Sequence, residues 1–86
     1  MDLDLVIEGH AHHRQLTAAL GACEQAPLAG GAWVKACFDR VVDGHPMVSL
    51  SLGTADRSWS DLRIALRRGQ PAIISADDLE IALTVR

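Results

Sequence analysis

Ala32-Trp33-Val34-Lys35-Ala36-Cys37-Phe38-Asp39-Arg40-Val41-Val42, followed by Asp43-Gly44-His45-Pro46 and then Met47-Val48-Ser49-Leu50-Ser51-Leu52, is the stretch on which the fold turns. Residues 32–42 and 47–52 alternate apolar and polar side chains, the mark of two strands with one buried face, and the Asp-Gly pair between them is a hairpin signal. A two-residue turn at Asp43-Gly44 would set Val42 opposite His45 and mix polar with apolar residues on both faces. A three-residue loop, Asp43 to His45, pairs Phe38 with Leu50 and Ala36 with Leu52 instead. It gathers Val34, Ala36, Phe38, Val48, Leu50 and Leu52 on one face. The pattern therefore predicts an odd-length loop with a bulge. Trp33, Lys35, Cys37, Asp39, Ser49 and Ser51 form the other face, mixed enough to be either solvated or covered by a partner.

On the N-terminal side, Leu3, Leu5 and Ile7 alternate with Asp4, Val6 and Glu8, predicting a strand that Gly9 ends. From about Ala11 to Gln25, Leu16, Leu20 and Cys23 recur at helical spacing among Ala18, Ala19 and Ala22, predicting a helix closed by Pro27 and Gly30-Gly31. After the hairpin, Ser58 stands as an N-cap with Asp61 three residues on, and Trp59, Leu62 and Leu66 supply an apolar stripe. Arg67 and Arg68 suit the last turn of that helix, and Gly69 and Pro71 stop it. Ala72 to Ser75 then reads as a strand and Ala76-Asp77-Asp78 as a turn. Leu79, Ile81, Leu83 and Val85 form the cleanest alternating strand of the chain. The predicted order is β-α-β-β-α-β-β: a single α+β domain over residues 1–86, a two-layer sandwich with two helices on one face of a mainly antiparallel sheet.

Composition bounds the function. The chain has 86 residues, 49% hydrophobic and 22% charged, with 8 Lys or Arg against 11 Asp or Glu, so it supports one core and leaves little room for a deep site. The net charge of −3 argues against direct nucleic-acid binding, and one Phe, two Trp and no Tyr make a poor stacking platform. No apolar run approaches the ~18 residues that suggest a membrane span, so no membrane association is expected. Met1-Asp2-Leu3-Asp4 is acidic where a secretory signal would be basic, which predicts a cytoplasmic protein. Cys23 and Cys37 lie outside any C-x-x-C motif and read as two small buried hydrophobes.

His10, His12 and His13 beside Glu8 are the most metal-like feature, with nitrogen and oxygen donors suited to zinc or nickel. No second cluster completes a shell, so a solvated helix start is the preferred reading. No nucleophile elbow and no phosphate-cradling glycine loop is present, and Asp77-Asp78 fits a turn better than a catalytic pair. Arg63, Arg67 and Arg68 make a basic stretch that can serve a carboxylate or phosphate, or simply a solvated face.

The run Asp43 to Leu50, then Leu66-Arg67-Arg68-Gly69-Gln70-Pro71-Ala72-Ile73-Ile74, then Leu79-Glu80-Ile81-Ala82-Leu83, resembles the C-terminal small domain of pyridoxal-phosphate enzymes of the aspartate aminotransferase fold type. Its nearest likeness is to the bacterial selenocysteine synthase (L-seryl-tRNA selenium transferase) branch. Leu66 to Ile73, taken as a helix-to-strand phrase, is the specific part. The resemblance implies a substrate-covering fragment of a transferase or lyase that is inactive alone. Pyridoxal phosphate would belong to the parent enzyme and no cofactor would be bound by this chain alone, whose single lysine, Lys35, lies in a predicted strand. It further implies Arg67, Arg68 or Arg86 as substrate contacts, and as partner a missing large catalytic domain or a self-associating copy. The alternative is a free-standing ferredoxin-like binding or dimerisation module.

Overall fold

The computed structural model describes residues 1–9, 11–77 and 79–86, with the backbone alone at residue 12. Among the described residues eight strands are present: β1 (Asp2–Gly9), β2 (His12–Ala19), β3 (Cys23–Pro27), β4 (Trp33–Val42), β5 (His45–Gly53), β6 (Ser58–Ala65), β7 (Ala72–Ala76) and β8 (Leu79–Val85). The only helical element among the described residues is a single 3-10 turn, Ala29–Gly31. Two antiparallel four-stranded sheets, ordered β2-β1-β8-β7 and β3-β4-β5-β6, pack face to face. The predicted α+β sandwich, and with it the ferredoxin-like alternative, is therefore corrected to an all-β sandwich.

Both helix expectations fail for an identifiable reason. In β6, Leu62 and Ile64 alternate with Arg63 in strand fashion, but Leu50 pairs with Leu62 while Leu52 pairs with Trp59. One extra residue is thus accommodated between Trp59 and Leu62, a β-bulge with Asp61 at φ 59°. The bulge keeps Trp59 and Leu62 on the same side at a separation of three. Leu66 follows at four, and the three together imitate a helical stripe. In the first segment the imitation comes from a turn. Leu16 belongs to β2, Leu20 to the link and Cys23 to β3, with Gly21 at φ 84° reversing the chain between them.

The central hairpin keeps its expected faces but not its expected register. Val42 faces His45 across a two-residue turn whose Asp43 and Gly44 both have positive φ, 52° and 79°, the geometry an Asp-Gly turn favours. The bulge lies in the strand, where the register shifts between Phe38 and Arg40, so that Phe38 pairs with Val48, Ala36 with Leu50 and Val34 with Leu52. A bulge at Asp39 resolves the polarity conflict that had disfavoured the short turn. Val34, Ala36, Phe38, Val48, Leu50 and Leu52 all point inward and are buried.

The opposing sheet contributes Leu3, Leu5, Ile7, Ala18, Ile74, Ala76, Leu79, Ile81, Leu83 and Val85 to the same core. β1 and β8 are neighbours in the middle of that sheet, with Leu5 opposite Val85 and Ile7 opposite Leu83, so the first and last strands close on each other. The β2–β3 link crosses between the sheets, tied down by Gly21 N–H to Phe38 O at 2.7 Å and Phe38 N–H to Ala22 O at 3.0 Å. Cys23 and Cys37, directly opposite on β3 and β4 with Cα atoms 3.9 Å apart, form a disulfide. They are not buried hydrophobes: Cys23 is exposed and Cys37 half-buried on the outer face. No helix among the described residues is long and apolar enough to cross a membrane.

A candidate binding mouth at one end of the sandwich

The two ends of the sandwich differ. At one end, the chain between β3 and β4 folds over the core, with Leu28 N–H donating to Ala32 O at 2.8 Å and both side chains buried. Arg57 joins Asp77 there at 2.6 Å, linking the approach to β6 with the turn after β7. Between that link, the approach to β6 and Leu79 this end keeps an opening of about 400 Å³ lined by Ala32, Arg57, Trp59 and Asp77.

The other end has no such link folded over it and carries the more apolar opening. The start of β1, the β4–β5 tip and the exit of β6 surround a cleft of about 500 Å³ whose floor includes the buried Leu3, Phe38 and Leu66 and whose wall includes Arg68. The bulge at Asp39 accounts for the shape of this rim. Beyond it the hairpin projects past the core, and Arg40, Val41 and Val42 are all exposed. Leu20 lies beside Met1, its N–H bonded to Met1 O at 2.9 Å. Among the described residues the exposed large hydrophobics are Met1 80%, Leu20 49%, Val41 41%, Val42 41% and Ile73 63%. Met1 and Val41 line this mouth, Leu20 adjoins it through its bond to Met1, and Val42 follows Val41 at the hairpin tip. Singly exposed hydrophobics are ordinary, but two on the lining of an apolar-floored opening, with two more close by in the chain, are the pattern of an interaction site.

The three arginines singled out from the sequence come to the same end. Arg68 Nη1 donates to the backbone carbonyl of Arg86 at 3.3 Å, and Arg67 forms an isolated bridge with Gln70. All three side chains are exposed. Arg67 and Arg68 are not in the last turn of a helix: residues 66–71 form a turn between β6 and β7, and Ala72 and Ile73 open β7, so the phrase ends in a strand as expected but does not begin in a helix.

The outer face of the β3–β6 sheet carries a second, shallower cleft of about 350 Å³ lined by Asp39, Arg40, Met47, Val48, Ser49 and Arg63. Ser49 Oγ donates to Asp39 Oδ2 in it. A hydroxyl on a carboxylate without an imidazole or amine in the lining is a structural bond, with no base arranged to activate a nucleophile. At the opposite end of the same sheet, Trp33 lies across its strand neighbour Gly53, where a Cβ would come within 2.1 Å of the indole.

Of the candidate metal ligands, residue 10 and the side chain of His12 lie outside the described residues. His13 is exposed on β2 opposite Glu8. Among the described residues no three His, Cys, Asp or Glu side chains converge as a metal site would require. Sequence reasoning missed the apolar rim because Val41, Val42 and Leu20 read as members of elements with buried faces; only the bulge and the turn at Gly21 expose them. It missed the disulfide because Cys23 had been placed on a helix rather than on a strand beside Cys37. No family model, curated protein or solved structure matches the chain.

Proposed function

We propose that this chain is a recognition module whose mouth, at the end where β1 begins and β8 finishes, takes a partner segment of mixed apolar and acidic character. The observation that carries the reading is that exposed Met1 and Val41 line an opening floored by Phe38 and Leu66, with Leu20 and Val42 close by in the chain and Arg68 in its wall, bonded to the Arg86 carbonyl and next to Arg67. Apolar rim residues favour an apolar side chain lowered into the opening, and guanidiniums favour a carboxylate flanking it. The Cys23–Cys37 bond suits an oxidising compartment better than a reducing cytoplasm.

The test is a titration of the isotope-labelled chain with two designed peptides, one alternating Leu or Phe with Glu and one with Lys in place of Glu. The expected result is shifts confined to residues 1–3, 20, 41–46 and 66–68 with the acidic peptide only, abolished in Val41→Asp/Val42→Asp. Shifts elsewhere, or equal binding of the basic peptide, would sink the proposal.

A further inference from the structure

The fifth exposed large hydrophobic, Ile73, lies away from the mouth on β7, an outer strand of its sheet. Ala76 faces Leu79 across the turn to β8, and the pair that closes a two-residue hairpin exchanges both of its backbone bonds. Counting back in twos, Ile74 and Ala72 also bond to β8. The N–H and C=O groups of Ile73 and Ser75 therefore point away from β8, toward the open edge.

The other three edges are defended. β2 and β3 are fastened to each other, through their short link and through Arg14 Nε donating to Pro27 O at 2.9 Å. β6 carries Asp61 and Arg63 and is bulged at Asp61. β7, Ala72-Ile73-Ile74-Ser75-Ala76, has no charge and no bulge, two of the devices by which sheet edges avoid pairing; Pro71 directly before it withholds an N–H from the carbonyl of Ser75 in a paired copy, which confines the exchange of both backbone bonds to Ile73.

We propose that β7 is a self-pairing edge: two copies of the chain join through it, antiparallel, with Ile73 on the two-fold axis, making one continuous eight-stranded sheet. A second copy is the occupant the strand fits, because a charge-free segment presents nothing to repel itself and a two-fold interface must be self-complementary. Pairing at Ile73 uses the two outward-pointing backbone groups of that residue in each copy. It also sets the 63%-exposed Ile73 side chain against its own symmetry mate on the outer face, with Ala72 opposite Ile74 of the second copy. The contact is small, so the dimer is weak and concentration-dependent. This inference is independent of the mouth, which lies at the end of the sandwich and not on this edge.

Sedimentation equilibrium on the wild type, Ile73→Lys and Ile73→Glu decides it, with circular dichroism to confirm that the variants keep the fold. Wild type is expected to shift from monomer to dimer with concentration. Each variant alone should self-associate roughly tenfold or more weakly, since like charges then meet at the axis. An equimolar mixture of the two should recover the dimer as a Lys–Glu pair. A wild type that stays monomeric to its solubility limit, an Ile73→Lys protein that dimerises as before, or a mixture that remains monomeric would each overturn the proposal.

Discussion

Replacing Cys23 and Cys37 together by serine should cost the domain about 3 kcal/mol, and should cost it unevenly. The bond spans a sequence separation of 14, closing a loop of 15 residues. Restricting an unfolded chain by a loop of that size is worth about 3 kcal/mol at room temperature in the chain-entropy account. For a domain of this length a loss of that size lowers the melting temperature by roughly 12 to 24 °C. The unevenness comes from β3, a five-residue strand in which only Ala26 is buried. It has little apolar hold on the core, whereas β4 next to it buries Val34, Ala36 and Phe38. Without the bond, amide protection in residues 23–27 should therefore fall more than in residues 33–38. The assay is urea unfolding of wild type and double variant with hydrogen exchange on both. A stability loss under about 1 kcal/mol, or exchange that rises equally in the two strands, would refute the reasoning that the bond limits the unfolded chain and pins the weaker strand.

Two further outcomes follow from the packing. Gly53→Ala should destabilise the protein by about 1 to 3 kcal/mol, because the added methyl displaces the Trp33 indole from its strand neighbour; a red-shifted tryptophan emission that accompanies the loss would report the displacement, and an unchanged spectrum would contradict it. Phe38→Ala removes the largest fully buried side chain beside the bulge and should cost about 3 to 5 kcal/mol, measured by thermal unfolding.

How much of this was readable in advance depended on whether local alternation survived folding unbroken. β1, β7 and β8 alternate cleanly along their lengths, and the inward set of the β4–β5 hairpin was legible from the same period. Where a bulge or turn inserted a residue, the period changed and the reading went astray: Trp59, Leu62 and Leu66 imitate a helix because Asp61 is looped into a bulge. Leu16, Leu20 and Cys23 do so because a reversal at Gly21 falls between them. The hairpin register slipped for a related reason. The bulge was expected in the loop and is found at Asp39 within the strand.

The sequence alone determined the inward residues of the regular strands and the basic run at Arg67 and Arg68, because side-chain polarity is a local property. Only the tertiary structure decided that the described chain is all β, that Cys23 meets Cys37 and that Val41 and Met1 line one opening. Those outcomes depend on which strands become neighbours, and neighbours far apart in sequence leave no periodic trace in either segment. The uncharged edge at β7 was written in the sequence throughout, but as an ordinary short strand. Its meaning as an open edge came from the sheet order, which leaves β7 with β8 on one side and no strand of its own sheet on the other.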